Sequence, residues 1–227
     1  MSGIRNISPI GLDIGHAAVK AVQLRRRGGR THVHAAARVP VGDDDRATAL
    51  RRAMAALDRQ GFSGRSVVLA VPPQLLMSGV LELPARDSGA PLDQLASLEL
   101  GRSHKRDPGT FEAAIWDLPR PARAGEGTHV LAAACPVDEA DELLDEVAAA
   151  GFAALALDTH PCALARACQP LTAESTGITA VLDLGDCGSR LVLLLAQHVV
   201  YDRRLSDRGA AELREQLASH LNLESDG

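Results

Sequence analysis

With 227 residues, 46% of them hydrophobic, the chain is long enough for one large or two small domains and can bury a substantial core. Its formal net charge of −5 argues against non-specific nucleic-acid binding, and Phe62, Phe111, Phe152, Trp116 and Tyr201 are too few and scattered to build base-stacking platforms. The N-terminal residues have neither an apolar core nor a small-residue cleavage site, and no apolar run approaches the ~20 residues of a spanning helix, so neither a signal peptide nor a membrane span is expected.

Residues 7–14, 18–26 and 30–41 read as three consecutive strands, the last two joined by the turn Arg27-Gly28-Gly29-Arg30. The basic run from Arg25 to Arg30 reads as a solvated hairpin end. A helix over 45–60 follows, with Ala47, Leu50, Met54 and Leu57 on one face, Asp43 or Asp44 as its cap and Gly61 as its stop. Ser66–Val71 and Met77–Leu83 are strands closed by prolines. Leu92, Leu95, Ala96 and Leu98 mark a helix over 91–101, leading into a polar loop at 102–108. Strands are expected at 111–118 and 128–136, with a Pro/Gly/Arg loop between them.

Asp138 starts a helix to about 150 that turns Ala140, Leu143, Leu144 and Val147 inward. Its acids form a solvated face and favour the positive end of the helix dipole. Phe152–Leu157 reads as a buried strand ending in Asp158, followed by a short helix over 161–168 and a linker at 171–177. A hairpin fills 178–205, and a last helix over 208–221 carries Ala210, Leu213, Leu217 and Leu221 on its inner face. Cys135, Cys162, Cys168 and Cys187 lack metal-site or CxxC spacing and read as reduced thiols of a cytosolic protein.

One pattern occurs twice. Gly11-Leu12-Asp13-Ile14-Gly15-His16 and Val181-Leu182-Asp183-Leu184-Gly185-Asp186 each end an apolar strand in Asp, one aliphatic residue and Gly. A basic residue, Lys20 or Arg190, stands seven positions past each Asp, and a second apolar strand follows. Glycine lets another group approach the backbone closely, and successive amides in such a turn form a concave anion site. A carboxylate beside bound phosphates can hold Mg²⁺, usually through its waters. Two ordinary hairpins with Asp at the turn would share the motif; the duplication with matched basic residues favours a clamp on a nucleotide's phosphates.

The order of these elements resembles the PilM family of type IV pilus assembly proteins, within the actin-like ATPase superfamily. The resemblance rests on Gly11-Leu12-Asp13-Ile14-Gly15 through Val19-Lys20, Val68-Leu69-Ala70-Val71-Pro72 through Leu83-Pro84, and Leu98-Glu99-Leu100. It continues through Leu131-Ala132-Ala133-Ala134, Asp158-x-x-Pro161-x-Ala163-Leu164, and Leu182-Asp183-Leu184-Gly185 with Ser189. It implies an α/β fold: an actin-like (ribonuclease H-like) domain over 1–77 and 152–172, a small inserted α/β subdomain over 78–151, and a partial second actin-like domain over 177–227.

Carried over residue by residue, Asp13, Gly15, His16 and Lys20 would line one side of an ATP triphosphate, and Asp183, Gly185 and Ser189 the other. Asp13 and Asp183 would position Mg²⁺ through water. The resemblance also implies a cytoplasmic scaffold, peripheral to the inner membrane through its partners. Those partners are the cytoplasmic tail of a PilN-like inner-membrane protein and other pilus or type II secretion-like components.

Three departures weaken the case for hydrolysis. His160 stands where the family has an acid, and Asp186 places negative charge in the second phosphate turn, with Arg190 as the residue expected to offset it. The sequence also stops where the family continues into the Gly-Gly turn that holds the adenosine, so either a fragment or a shortened relative is expected. Weak or absent ATPase activity follows. The competing readings are an actin-like ATPase or small-molecule kinase, which needs a substrate-side base the sequence does not offer, and an FtsA-like filament protein. The mixed-charge terminal helix argues against the second.

Overall fold

The computed structural model describes residues 6–120, 125–206 and 209–221. In chain order the elements begin with β1 (Ile7–Ile14), β2 (Ala18–Arg27), β3 (Arg30–Pro40), α1 (Arg46–Arg59), β4 (Ser66–Ala70) and β5 (Met77–Leu83). Next come α2 (Leu92–His104), β6 (Phe111–Asp117), β7 (Thr128–Pro136), α3 (Val137–Ala149), β8 (Ala153–Asp158) and α4 (His160–Thr172). The last are β9 (Thr179–Leu184), β10 (Ser189–Leu195), β11 (His198–Ser206) and α5 (Ala210–Leu221). The chain divides into two compact units: residues up to Leu76 with Cys135–His160, and Met77–Ala134 with Pro161 onward.

The first unit is a five-stranded sheet of order β3-β2-β1-β4-β8. β1, β2 and β3 form an antiparallel meander, while β4 runs parallel to β1 and β8 parallel to β4. The β2–β3 turn needs positive φ at both central positions, and Gly28 and Gly29 supply it at 57° and 77°. Alternation puts Ile10 and Leu12 of β1, Val19 and Ala21 of β2, and Val67 and Leu69 of β4 into one core with Leu50, Ala53, Met54 and Leu57 of α1. Each fully buried Leu or Val there contributes ~1.5–3 kcal/mol. A buried glutamine is fully used: Gln23 Nε2 donates to Ser8 O at 2.9 Å and Ser63 O at 2.8 Å, and its Oε1 accepts from Ser63 N at 2.8 Å.

Several expectations change here. The cap of α1 is Asp45, not Asp43 or Asp44; its carboxylate accepts from Thr48 N at 2.6 Å. Helix α3, expected within the insertion, buries Leu143 and Val147 in the core of the five-stranded sheet, and its Glu146 accepts from Arg46 Nη2 of α1 at 2.7 Å. β8 is not a buried strand. It is the sheet's edge, with Leu155 61% exposed, and only Phe152, just before it, is buried. An unbroken apolar run fits an edge strand lined by alanines as well as a central one.

In the second unit β7 lies between β5 and β6, and α2 packs on this sheet. Leu92, Ala96 and Leu100 meet Met77, Leu83, Phe111, Val130, Ala132 and Ala134. Leu98, one of the residues that marked the helix, is exposed, and α2 runs to His104 through part of the expected loop. The other sheet, β11-β10-β9, is antiparallel and buries Val192, Leu194 and Val199 against Leu131 of β7 and Ala165 of α4. α4 extends to Thr172 with Pro170 inside it, which takes in the start of the expected linker. The periodicity of α5 predicts an inner face, but Leu213, Leu217 and Leu221 are 51%, 51% and 59% exposed. What ties α5 to the unit is its N-terminus.

Candidate functional site

Each copy of the repeated motif closes an antiparallel hairpin in the same register. In the first unit Asp13 stands opposite Lys20, one residue before β1 ends. In the second unit Asp183 stands opposite Arg190, one residue before β9 ends. The two glycines also do the same job. A Cβ on Gly15 would lie 3.0 Å from Ala18 O, and a Cβ on Gly185 would lie 2.9 Å from Gly188 O. Each glycine therefore lets the chain reverse against the carbonyl three residues on. In the first turn that carbonyl also accepts from Gly15 N at 3.1 Å.

In the first turn Lys20 Nζ donates to Asp13 Oδ2 at 2.9 Å. The side chains are 58% and 38% exposed, so the pair contributes little to stability but keeps a carboxylate and an ammonium together at the surface of the turn. His16 is exposed just beyond Gly15. Asp13, Gly15, His16 and Lys20 thus share one turn, as the sequence predicts.

The second turn brings Asp183, Gly185 and Ser189 into one hairpin, with Ser189 opposite Leu184. Its charges are arranged differently from the first. Arg190 is buried, and its Nη1 lies 2.6 Å from both carboxylate oxygens of Asp202. Ser78 Oγ of β5 donates to the same carboxylate at 2.9 Å. The expectation that Arg190 offsets Asp186 is corrected: Arg214 of α5 does so, its Nη2 2.9 Å from Asp186 Oδ1. The diagonal Arg190–Asp202 contact forms because a long side chain reaches that neighbour across β10 and β11, and its attraction offsets the cost of burying the guanidinium there.

The N-terminus of α5 sits on this turn. Ala210 N donates to Gly185 O at 2.8 Å and Ala211 N to Asp186 O at 3.1 Å. These amides, orphaned in any helix start, are used by the turn's carbonyls. Gly209 makes the approach possible, since a Cβ there would collide with Asp186 O and Gly185 O. Cys187 has its thiol pushed up by local desolvation and then by the Asp186 carboxylate, so it stays protonated and is a poor nucleophile. Sequence reasoning missed Ser78, Asp202, Gly209 and Arg214. A glycine directly before Ala210-Ala211 is the one available signal, for Gly209.

Each turn is a close backbone reversal with an Asp near its tip, and the first carries a surface ammonium beside its Asp. The comparisons with known proteins agree with the actin-like fold. A family model described as type IV pilus assembly protein PilM matches residues 11–227.

The chain belongs to the PilM family of type IV pilus assembly proteins.

Among solved structures, a PilM-PilN type IV pilus biogenesis complex is similar at 23% identity and a TM-score of 0.76, over 96% of this chain and 67% of that one. The cytoplasmic domain of EpsL, an inner-membrane component of the type II secretion system of Vibrio cholerae, is similar at 16% identity and a TM-score of 0.57, over 96% and 77% of the two chains. EutJ, an ethanolamine utilization protein from Carboxydothermus hydrogenoformans, is similar at 16% identity and a TM-score of 0.51, over 95% and 57%. No match is found among curated proteins. The family match supports a role in type IV pilus assembly. No helix among the described residues is long and apolar enough to cross a membrane.

Proposed function

We propose that this PilM-family chain is a scaffold of a type IV pilus, or type II secretion-like, assembly machine on the cytoplasmic face of the inner membrane. The observation that carries the reading is the family match over residues 11–227. Its partner is the short cytoplasmic tail of a PilN-like inner-membrane protein, a reading supported by the fold likeness to a PilM-PilN complex. The layout that goes with it is an actin-like core, a small inserted subdomain and the start of a second actin-like domain.

Nucleotide tunes that contact. Asp13, Gly15, His16 and Lys20 line the phosphates at the first turn, and Asp183, Gly185 and Ser189 line them at the second, with Asp13 and Asp183 placing Mg²⁺ through water. Turnover is weak or absent, because Asp186 adds a carboxylate to the second turn and His160 takes a position where an acid would orient water. Co-expression with a full-length PilN-like protein, followed by purification in detergent, tests the scaffold. Stoichiometric recovery of the pair supports it, and recovery of the chain alone overturns it.

A further inference from the structure

The β2–β3 hairpin carries a charge arrangement that no phosphate turn requires. Arg25, Arg26, Arg27 and Arg30 are all exposed at its tip, and their side chains make no ion pair or hydrogen bond with any described residue. Arg27 stands directly opposite Arg30. Like charges directly opposite one another destabilise a hairpin, in a chain whose net charge is −5. Behind the arginines the exposed face turns apolar. Leu24 and Val33 are cross-strand partners at 37% and 65% exposure, and Val22 lies beside them at 40%. The tip is a two-stranded ribbon closed by Gly28 and Gly29, where an added Cβ would meet nothing.

We propose that this hairpin tip docks on an anionic phospholipid surface, its arginines on the headgroup phosphates and Leu24 and Val33 at the acyl boundary. Unpaired arginines near such a surface are attracted without any pocket, and their aliphatic stems lie comfortably at the interface. The adjoining apolar pair has no use against a phosphodiester backbone, and no Phe, Tyr or Trp lies on this hairpin for base stacking. The contact is independent of any pilus component and goes beyond the scaffold reading.

Co-sedimentation of the full chain with vesicles tests it. The chain should bind vesicles of phosphatidylcholine mixed with phosphatidylglycerol, and not phosphatidylcholine alone, and binding should weaken as salt rises. Each single Arg→Ala change among the four should lower the partition coefficient by about fivefold. Val33→Asp should also lower it, with the arginines intact. All these positions are exposed, and circular dichroism melts of each variant verify the fold. Equal binding to both lipid compositions, or binding unchanged when all four arginines are alanine, would overturn the proposal. So would retention by a single-stranded oligonucleotide or polyglutamate with no retention by the anionic vesicles.

Discussion

Arg190 and Asp202 form a buried ion pair between neighbouring strands, with side chains only 9% and 5% exposed. Arg190 occupies the register position that Lys20 has in the first hairpin. The two copies therefore keep the backbone of the turn and spend the basic residue differently: Lys20 stays at the surface beside Asp13, while Arg190 is drawn to β11.

Asp202→Ala should be among the most damaging single changes in the second unit. It leaves a buried guanidinium without its charge partner, which costs about 3–5 kcal/mol. Arg190→Met combined with Asp202→Leu should recover most of that loss. Urea unfolding of the singles and the double reads both values. A single-variant loss under about 1 kcal/mol would show that water reaches the pair.

Gly209→Ala should destabilise the junction between α5 and the second turn, since the new methyl meets the carbonyls of Gly185 and Asp186. Overpacking of this kind costs about 1–3 kcal/mol. Hydrogen exchange should show the Ala210 and Ala211 amides losing protection first. Unchanged protection at those amides would contradict the docking of α5 described above.

The cap of α1 gives a pH dependence with a defined sign. The backbone and then the side chain of Thr48 hold the Asp45 carboxyl below its ordinary value of 3.8. The folded pKa is thus lower than the unfolded one. The cap's contribution is complete above the unfolded value and is lost as pH falls through the folded one. Asp45→Asn keeps an acceptor and removes the titration. Its melting temperature should fall less steeply on acidification than that of the parent, and parallel curves would contradict the assignment.

Lys20→Ala should change stability by less than about 1 kcal/mol, because the Lys20–Asp13 pair is half exposed. Its effect should instead be on ligand. Calorimetry with Mg-ATP should give weak binding to the parent and none to the variant, with no steady phosphate release from either. Tight binding that the variant loses, together with sustained phosphate release, would move the chain into the enzyme class.

Much of the fold was legible because strand alternation and turn chemistry are local. Gly28-Gly29 demanded a tight hairpin, and the seven-residue offset from Asp to a basic residue put Lys20 opposite Asp13 and Arg190 opposite Asp183. Side-chain partners beyond the hairpin were not legible. The β10–β11 ladder shifts register twice, at Ser189/Arg190 and Leu193/Leu194, so no count along the sequence sets Asp202 beside Arg190. Apolar stripes also misled where tertiary contact decides the facing. Leu98 and the leucines of α5 follow helical spacing yet lie exposed, because α2 buries Leu92, Ala96 and Leu100 instead and α5 is held by its first amides.

The scaffold reading is tested most directly by fluorescence anisotropy of a labelled peptide carrying the cytoplasmic tail of a PilN-like protein, titrated with this chain in the presence and absence of Mg-ATP. Saturable binding is expected, with an affinity that differs between the two conditions and ceases to differ in Lys20→Ala. No binding under either condition, with the fold intact by circular dichroism, would contradict the assignment of this chain as the cytoplasmic partner of a pilus membrane protein.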